Sequence, residues 1–226
     1  MTGIYGVCIS DFPPSLVEPL LHFISNKERI LKFHFIKDKI RSLVGELLLK
    51  KIINTLYNAP YEEMEITRDE YGKPFLSSPS IKVEFNISHA GDWVVVAIDR
   101  MKIGIDIEQI VTMNLEIAER FFTQEEYKYI AQQSSQEQRD EQFIRIWTMK
   151  ESYIKGVGRG LTIPLDSFST IINNQEATSI RVEEDVRHLK TFRHDTTYYI
   201  SVCSTTPLDG KNIEIIDIHS LVNAFL

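Results

Sequence analysis

Across residues 38–57 apolar side chains return at Ile40, Leu43, Val44, Leu47, Leu48, Ile52, Ile53 and Leu56. That spacing lays one apolar stripe along a helix, and Asn58 with Pro60 predicts where the helix stops. Such a stripe is satisfied only by packing against a sheet or other helices. The segments that follow favour a sheet. A strand is expected at residues 64–67, then a hairpin of "VEFNI" and "WVVVAID" around "SHAGD", then the strand "KIGIDIE". The second half repeats this order. A helix with the stripe Phe143, Ile144, Trp147 and Ile154 ends at Gly156 and leads into "GRGLTIPL", as the first leads into "YGKPFL". Each half then closes on paired strands with an aromatic-and-valine run, "WVVVAI" and "YYISVC". The pattern predicts an α+β chain and suggests a duplicated unit.

The remaining elements are read more locally. A strand at 4–9 and a helix near 15–24 open the chain, and residues 113–122 begin the second half as a helix. Thr123 with Glu126 forms a capping box for the next helix, and Ser134 with Glu137 is the expected cap of the helix ending at Gly156. Strands are expected near 167–172, 179–182, 197–203 and 214–218.

Composition matters for what it excludes. With 43% hydrophobic and 25% charged residues the chain is globular. It opens without a signal-peptide pattern and has no run of about 20 apolar residues, so a cytoplasmic location is expected. Cys8 and Cys203 match no disulfide framework or zinc spacing and read as core fillers. A net charge of −7 argues against nucleic acid as the general partner. Six cations (Lys27, Arg29, Lys32, Lys37, Lys39, Arg41) nevertheless stand against two acids (Glu28, Asp38) in one short stretch. That stretch is either a solvated helix face or an anion site.

"GIDIE", Gly104 to Glu108, puts Asp106 and Glu108 on one face of a strand and Ile105 and Ile107 on the other. Acids sharing a face need water, a cation or donors. On the helix "FIRIWTMKESYIK", Glu151 projects within the apolar arc between Trp147 and Ile144, and Lys155 stands one turn on. Taken alone, Glu151 and Lys155 read better as a surface ion pair. Together the three carboxylates make an oxygen site for a hard cation, and magnesium, which leaves positions for phosphate oxygens, suits it best. Ser88 and His89 at the hairpin turn and Lys73 in "YGKP" offer donors to an anion.

"YGKPFL", "FNISHAGDWVVVAI", "GIDIE" and "FIRIWTMKESYIKGVGRGL", in this order, resemble the 4′-phosphopantetheinyl transferases of the Sfp type. The pairing of "GIDIE" with "WTMKES" across residues 109–146 is the specific part, and the likeness spans about residues 4–205. The resemblance implies the family's fold: two similar α/β halves, residues 1–103 and 104–226, related by a pseudo-two-fold axis with the active site between them. It implies a magnesium triad of Asp106, Glu108 and Glu151, with Lys155 as a phosphate-binding lysine. It places adenine at Tyr71, Gly72, Lys73 and Pro74, and the 3′-phosphate near Ser88, His89 and Arg41. Lys27 and Arg29 match the family's further basic contacts, although their spacing departs from its pattern.

The implied activity transfers the 4′-phosphopantetheine arm of coenzyme A to a serine of apo peptidyl, acyl or aryl carrier domains of nonribosomal peptide and polyketide synthesis, releasing adenosine 3′,5′-bisphosphate. Glu151 would serve as general base and Lys155 as its catalytic partner. Leu115, Phe121 and Phe122 would dock the carrier. A monomer is implied, because both halves lie in one chain. A magnesium-dependent nucleotidyl or phosphoryl transferase, or a non-catalytic coenzyme A-binding module, are the alternatives; neither a P-loop nor a dinucleotide glycine fingerprint is present.

Overall fold

The computed structural model describes residues 2–78, 80–182 and 185–226. The chain divides into two compact units, Met1–Arg100 with Lys211–Leu226, and Met101–Gly210.

The first unit opens with β1 (Gly3–Cys8) and short helices α1 (Val17–Leu20) and α2 (Lys27–Leu31) before the long α3 (Ile36–Tyr57). The small hairpin β2 (Ile66–Arg68) and β3 (Pro74–Leu76) follows, then β4 (Glu84–Ala90) and β5 (Trp93–Asp99). β1 and β4 both pair antiparallel with β5, and α3 packs on β4 and β5. The helix stops at Asn58, whose left-handed φ of 53° caps it. Its burial is wider than one stripe but stops short of the last turn: Gly45, Leu49 and Lys50 are buried as well as the expected residues from Ile40 to Ile53, whereas Leu56, expected in the stripe, is exposed. α1, α2 and the chain's last helix cover the flank that periodicity assigns to water.

The second unit begins with β6 (Ile103–Gln109), then α4 (Leu115–Phe121), α5 (Gln124–Ala131) and α6 (Gln136–Val157). The strands β7 (Ile171–Ile172), β8 (Gln175–Glu176), β9 (Ser179–Val182), β10 (Asp185–His194) and β11 (Tyr198–Ser204) complete it. Its main sheet runs in the order β6-β11-β10-β9, all neighbours antiparallel, and α6 lies on β6 and β11. The two units share a plan, three antiparallel strands under a 22-residue helix, and α6 starts and ends one hundred residues after α3. β6 likewise starts one hundred residues after β1.

The tail departs from the expected division. Residues 211–226 belong with the first unit: β12 (Glu214–Ile215) pairs parallel with β1, and α7 (Ile218–Asn223) packs on α3. Ile218, Leu221, Val222 and Phe225, a helical stripe, enter that unit's core. The strand expected at 214–218 is therefore only two residues long. The cap of α6 also shifts, because Ser135, not Ser134, accepts from Gln138 N–H. β10 escaped the sequence reading because its charged residues hide the alternation.

The capping box of Thr123 and Glu126 forms as expected, and Glu126 does more than cap. It is fully buried, accepts from Thr170 N–H at 2.7 Å and pairs with the equally buried Lys150 at 2.8 Å. Lys150 Nζ also donates to the Leu165 and Phe168 carbonyls at 2.7 and 2.6 Å. Burial pulls the Lys150 ammonium below its usual range while Glu126 opposes the shift. Lys150→Met strands Glu126 as a buried charge, and is expected to destabilise the unit by about 3–5 kcal/mol. Circular dichroism melts should show a fall of more than about 10 °C, partly recovered by adding Glu126→Gln.

Candidate active site

β6 and α6 bring the expected acids into one field. Ile105 and Ile107 are fully buried on one side of β6. Asp106, on the other, is only 2% exposed, and Glu108 near the strand end is half-buried. On β11 the cross-strand partners of these acids are Ser201 and Tyr199. α6 presents Trp147, Glu151 and Lys155 at four-residue intervals, one helical face. Lys155 Nζ donates to Asp106 Oδ1 at 2.6 Å.

What lets α6 approach β6 so closely is a pair of glycines. A Cβ on Gly104 would stand 2.0 Å from the Ser152 carbonyl oxygen and 2.3 Å from Gly156 N, and one on Gly156 would meet Gly104 N at 3.2 Å. The strand therefore rests on the helix backbone itself, with no side chain between. Sequence reasoning missed this contact. Its signal was a glycine at the head of the acid strand and another inside the helix.

The electrostatics register the crowding. The Glu108 carboxyl is pushed up to about 7, by burial first and then by Asp106 and Glu151, against the opposing Lys155 ammonium and a Trp147 hydrogen bond. Glu151 is raised by burial and then by Asp106, again opposed by Lys155. One cation thus faces three acids. Among the described residues, no group of three or more His, Cys, Asp or Glu side chains is arranged to hold a metal ion; instead the Lys155 ammonium lies on Asp106. The donor chemistry still fits a hard divalent cation, being all oxygen and carrying negative charge that one lysine does not balance.

This charge sets a pH dependence. Between its ordinary 4.5 and about 7, folded Glu108 holds a proton that the unfolded chain releases, so metal-free stability falls as pH rises through that window. Allowing for the group's partial exposure, the loss is on the order of 2 kcal/mol. Melts in chelator at pH 5 and pH 8 should show it, and Glu108→Gln should flatten the difference.

The expected anion-binding residues lie in the first unit. Ser88 and His89 stand within β4, not at the turn: the strand continues to Ala90, and the hairpin turns at Gly91 and Asp92. Gly91, with φ 54°, takes the first central position, as a tight hairpin of this type requires. Strand alternation buries Ser88 and exposes His89. Arg41 on α3 reaches this turn, donating from Nε to the Gly91 carbonyl at 3.0 Å and from Nη1 to Asp38 at 3.1 Å. Lys37 pairs with Asp92 at 2.7 Å. Tyr71, Gly72 and Lys73 lie in the β2–β3 turn, and Pro74 opens β3. The Asp69 carboxylate accepts from Tyr71 and Lys73 N–H at 3.0 and 2.8 Å, Gly72 adopts φ 82°, and Lys73 Nζ lies 3.8 Å from Glu84. Lys27 and Arg29 are exposed on α2, where Arg29 donates to Ser42 at 3.1 Å and lies over Phe33.

The proposed docking residues separate. Phe122 is 4% exposed and stacks on Phe143 at 5.1 Å, so it is core and presents no docking face. Leu115 is half-buried against the same cluster. Phe121 is 44% exposed and lines a groove with Ile117, Trp147, Ile163, Pro164 and Leu165.

Two family models match consecutive stretches of the chain: "4′-phosphopantetheinyl transferase, N-terminal" over residues 17–101 and "4′-phosphopantetheinyl transferase superfamily" over residues 102–203. The chain belongs to the 4′-phosphopantetheinyl transferase superfamily, whose defining activity is transfer of the 4′-phosphopantetheinyl group. Among its relatives it is 36% identical to 4′-phosphopantetheinyl transferase Sfp of Bacillus subtilis, over 97% of this chain and 99% of that one. It is 34% identical to psf-1 of Bacillus pumilus (92% and 90%), and 36% identical to gsp of Aneurinibacillus migulanus (88% and 84%), both 4′-phosphopantetheinyl transferases. No helix of the described residues is long and apolar enough to cross a membrane.

Proposed function

We propose that this chain transfers the phosphopantetheine arm of coenzyme A to a serine of apo carrier domains, and that it does so as a magnesium-dependent cytoplasmic monomer. The observation that carries this reading is the convergence of Asp106, Glu108, Glu151 and Lys155 on one strand–helix contact, with Lys155 held on Asp106. Asp106, Glu108 and Glu151 would hold the cation. When bound, it supplies charge neutralisation to the diphosphate and its developing leaving group.

The chain's own residues do the rest. The carrier serine oxygen bonds to the phosphorus bearing the pantetheine arm. The bond from that phosphorus to the bridging oxygen breaks, and the electron pair leaves with adenosine 3′,5′-bisphosphate. Such a transfer asks mainly for positioning and electrostatic support. Glu151 takes the serine proton, and the raised pKa of its carboxyl makes it a stronger base than an ordinary carboxylate. Lys155 supports the phosphate oxygens with its ammonium. In the first unit, Tyr71 to Pro74 would receive adenine, with Lys73 towards the nucleotide. Arg41, Ser88 and His89 would receive the 3′-phosphate, with Lys27 and Arg29 as further basic contacts. Phe121, on the helix that Leu115 opens, offers an apolar contact to the carrier.

Intact-protein mass spectrometry of an apo peptidyl carrier domain with coenzyme A tests the reading. A gain of one phosphopantetheine with MgCl2, and none with excess chelator, is the expected result. Modification that persists in chelator would remove the metal from the mechanism. Glu151→Gln turning over at the wild-type rate, with coenzyme A and magnesium binding intact, would remove Glu151 as base.

A further inference from the structure

The most buried acid of the site already carries a cation. Asp106 is almost wholly buried, its Oδ2 is shut off from solvent, and Lys155 Nζ donates to its Oδ1 at 2.6 Å. A contact this short is a charge-assisted hydrogen bond. The two partners differ in freedom. Asp106 is fixed in the middle of β6 under α6, whereas the Lys155 side chain is 29% exposed and ends a flexible four-carbon stem. The same ammonium opposes the raised carboxyls of Glu108 and Glu151. It is therefore the counterion that all three acids share.

A small hard cation binds a carboxylate oxygen at about 2.0–2.1 Å. With the ammonium on Oδ1 and Oδ2 closed to solvent, neither oxygen of Asp106 is open to such an ion. The lysine cannot simply leave, because a buried carboxylate that loses its partner is strongly destabilising. It can leave when one ligand replaces it on Asp106 and another receives it.

We propose that Lys155 is a stand-in cation: its ammonium occupies Asp106 in the metal-free protein, and it yields that carboxylate to a divalent cation when the diphosphate of coenzyme A takes up the ammonium. The inference rests on the metal and coenzyme A reading proposed above and adds an order of events to it. One side chain serves both states, first on the acid and then on the phosphate oxygens. Each ligand removes what resists the other, so coenzyme A and the metal strengthen each other's binding by one common factor. Free divalent cations are held off until the substrate arrives.

Lysine-ammonium NMR on the unaltered chain follows the exchange. In excess chelator, the 15Nζ of Lys155 should couple through the hydrogen bond to the 13Cγ of Asp106. MgCl2 with coenzyme A should abolish that coupling, and the same MgCl2 concentration alone should leave it. A coupling that survives with both ligands bound, or one lost equally well without coenzyme A, would overturn the proposal. Calorimetry supplies the energetic test: MgCl2 is titrated into wild type and Lys155→Met, each with and without saturating coenzyme A. In wild type, coenzyme A should tighten magnesium binding by about 5- to 150-fold. Lys155→Met should bind magnesium more tightly than wild type when coenzyme A is absent, and the gain from coenzyme A should shrink at least about 5-fold. A lysine that acts only as a nearby charge would tighten both states alike and leave the gain unchanged, which would overturn the proposal. Should Lys155→Met not fold, Lys155→Gln removes the charge and keeps a polar end, and the same outcomes apply. A wild type that binds no magnesium even with coenzyme A refutes the metal reading itself, a result distinct from magnesium binding that leaves Lys155 on Asp106.

Discussion

Asp106→Ala is expected to lower carrier modification by on the order of 10³-fold while leaving the fold in place. The two halves of that expectation have separate causes. Asp106 is the buried member of the acid group and the one that Lys155 contacts, so its loss removes both the proposed cation ligand and the anchor of the lysine. It also raises the carboxyls of Glu108 and Glu151, so its removal relieves repulsion inside the metal-free protein. Lys155, 29% exposed at its side chain, can turn to water once the carboxylate is gone. Carrier modification by mass spectrometry should therefore collapse, while the melting temperature in chelator stays within a few degrees of wild type. A large loss of stability would mean that the acids hold the fold rather than the substrate.

Gly104→Ala is expected to have the opposite profile, with stability and activity failing together. The added methyl would lie 2.0 Å from Ser152 O and 2.3 Å from Gly156 N, both backbone atoms that cannot swing aside. α6 must move off β6 by more than an ångström to restore ordinary contact. Overpacking of this severity costs about 3 kcal/mol, and a shift of that size between Glu151 and the strand acids costs roughly 10²-fold in rate. Thermal melts and the mass-spectrometric assay on one preparation test both. A Gly104→Ala protein with wild-type activity would show that the strand–helix spacing does not set the site.

The sequence was most legible where a side chain's neighbours are its neighbours in the chain. The long helices, the Thr123 box and the faces of β6 follow from spacing alone, and the three acids with Lys155 could be picked out because strand and helix periods place them. The family resemblance then joined them, and the family matches bear it out. What failed to show were the contacts that cross long separations. The Lys150 and Glu126 pair looks like two ordinary surface charges until Thr170, Leu165 and Phe168 close around it. The return of α7 to the first unit depends on α3, which lies far back in the chain. Phe121 and Phe122 are adjacent and chemically identical, and only the direction of a helix end sends one into the core and the other to water.

The hundred-residue offset between the units has a stoichiometric consequence. Carried back by that offset, Asp106, Glu108, Glu151 and Lys155 fall on Gly6, Cys8, Lys51 and Thr55, none of them an acid. Lys150 falls on Lys50, which is buried and donates to the Phe23 carbonyl at 2.7 Å. The repeat has thus kept its buried lysine anchor in both copies and its acids in one. Under the proposed function a chain built this way would take one diphosphate, with the acid-bearing copy as host to the chemistry and the other as host to the nucleotide.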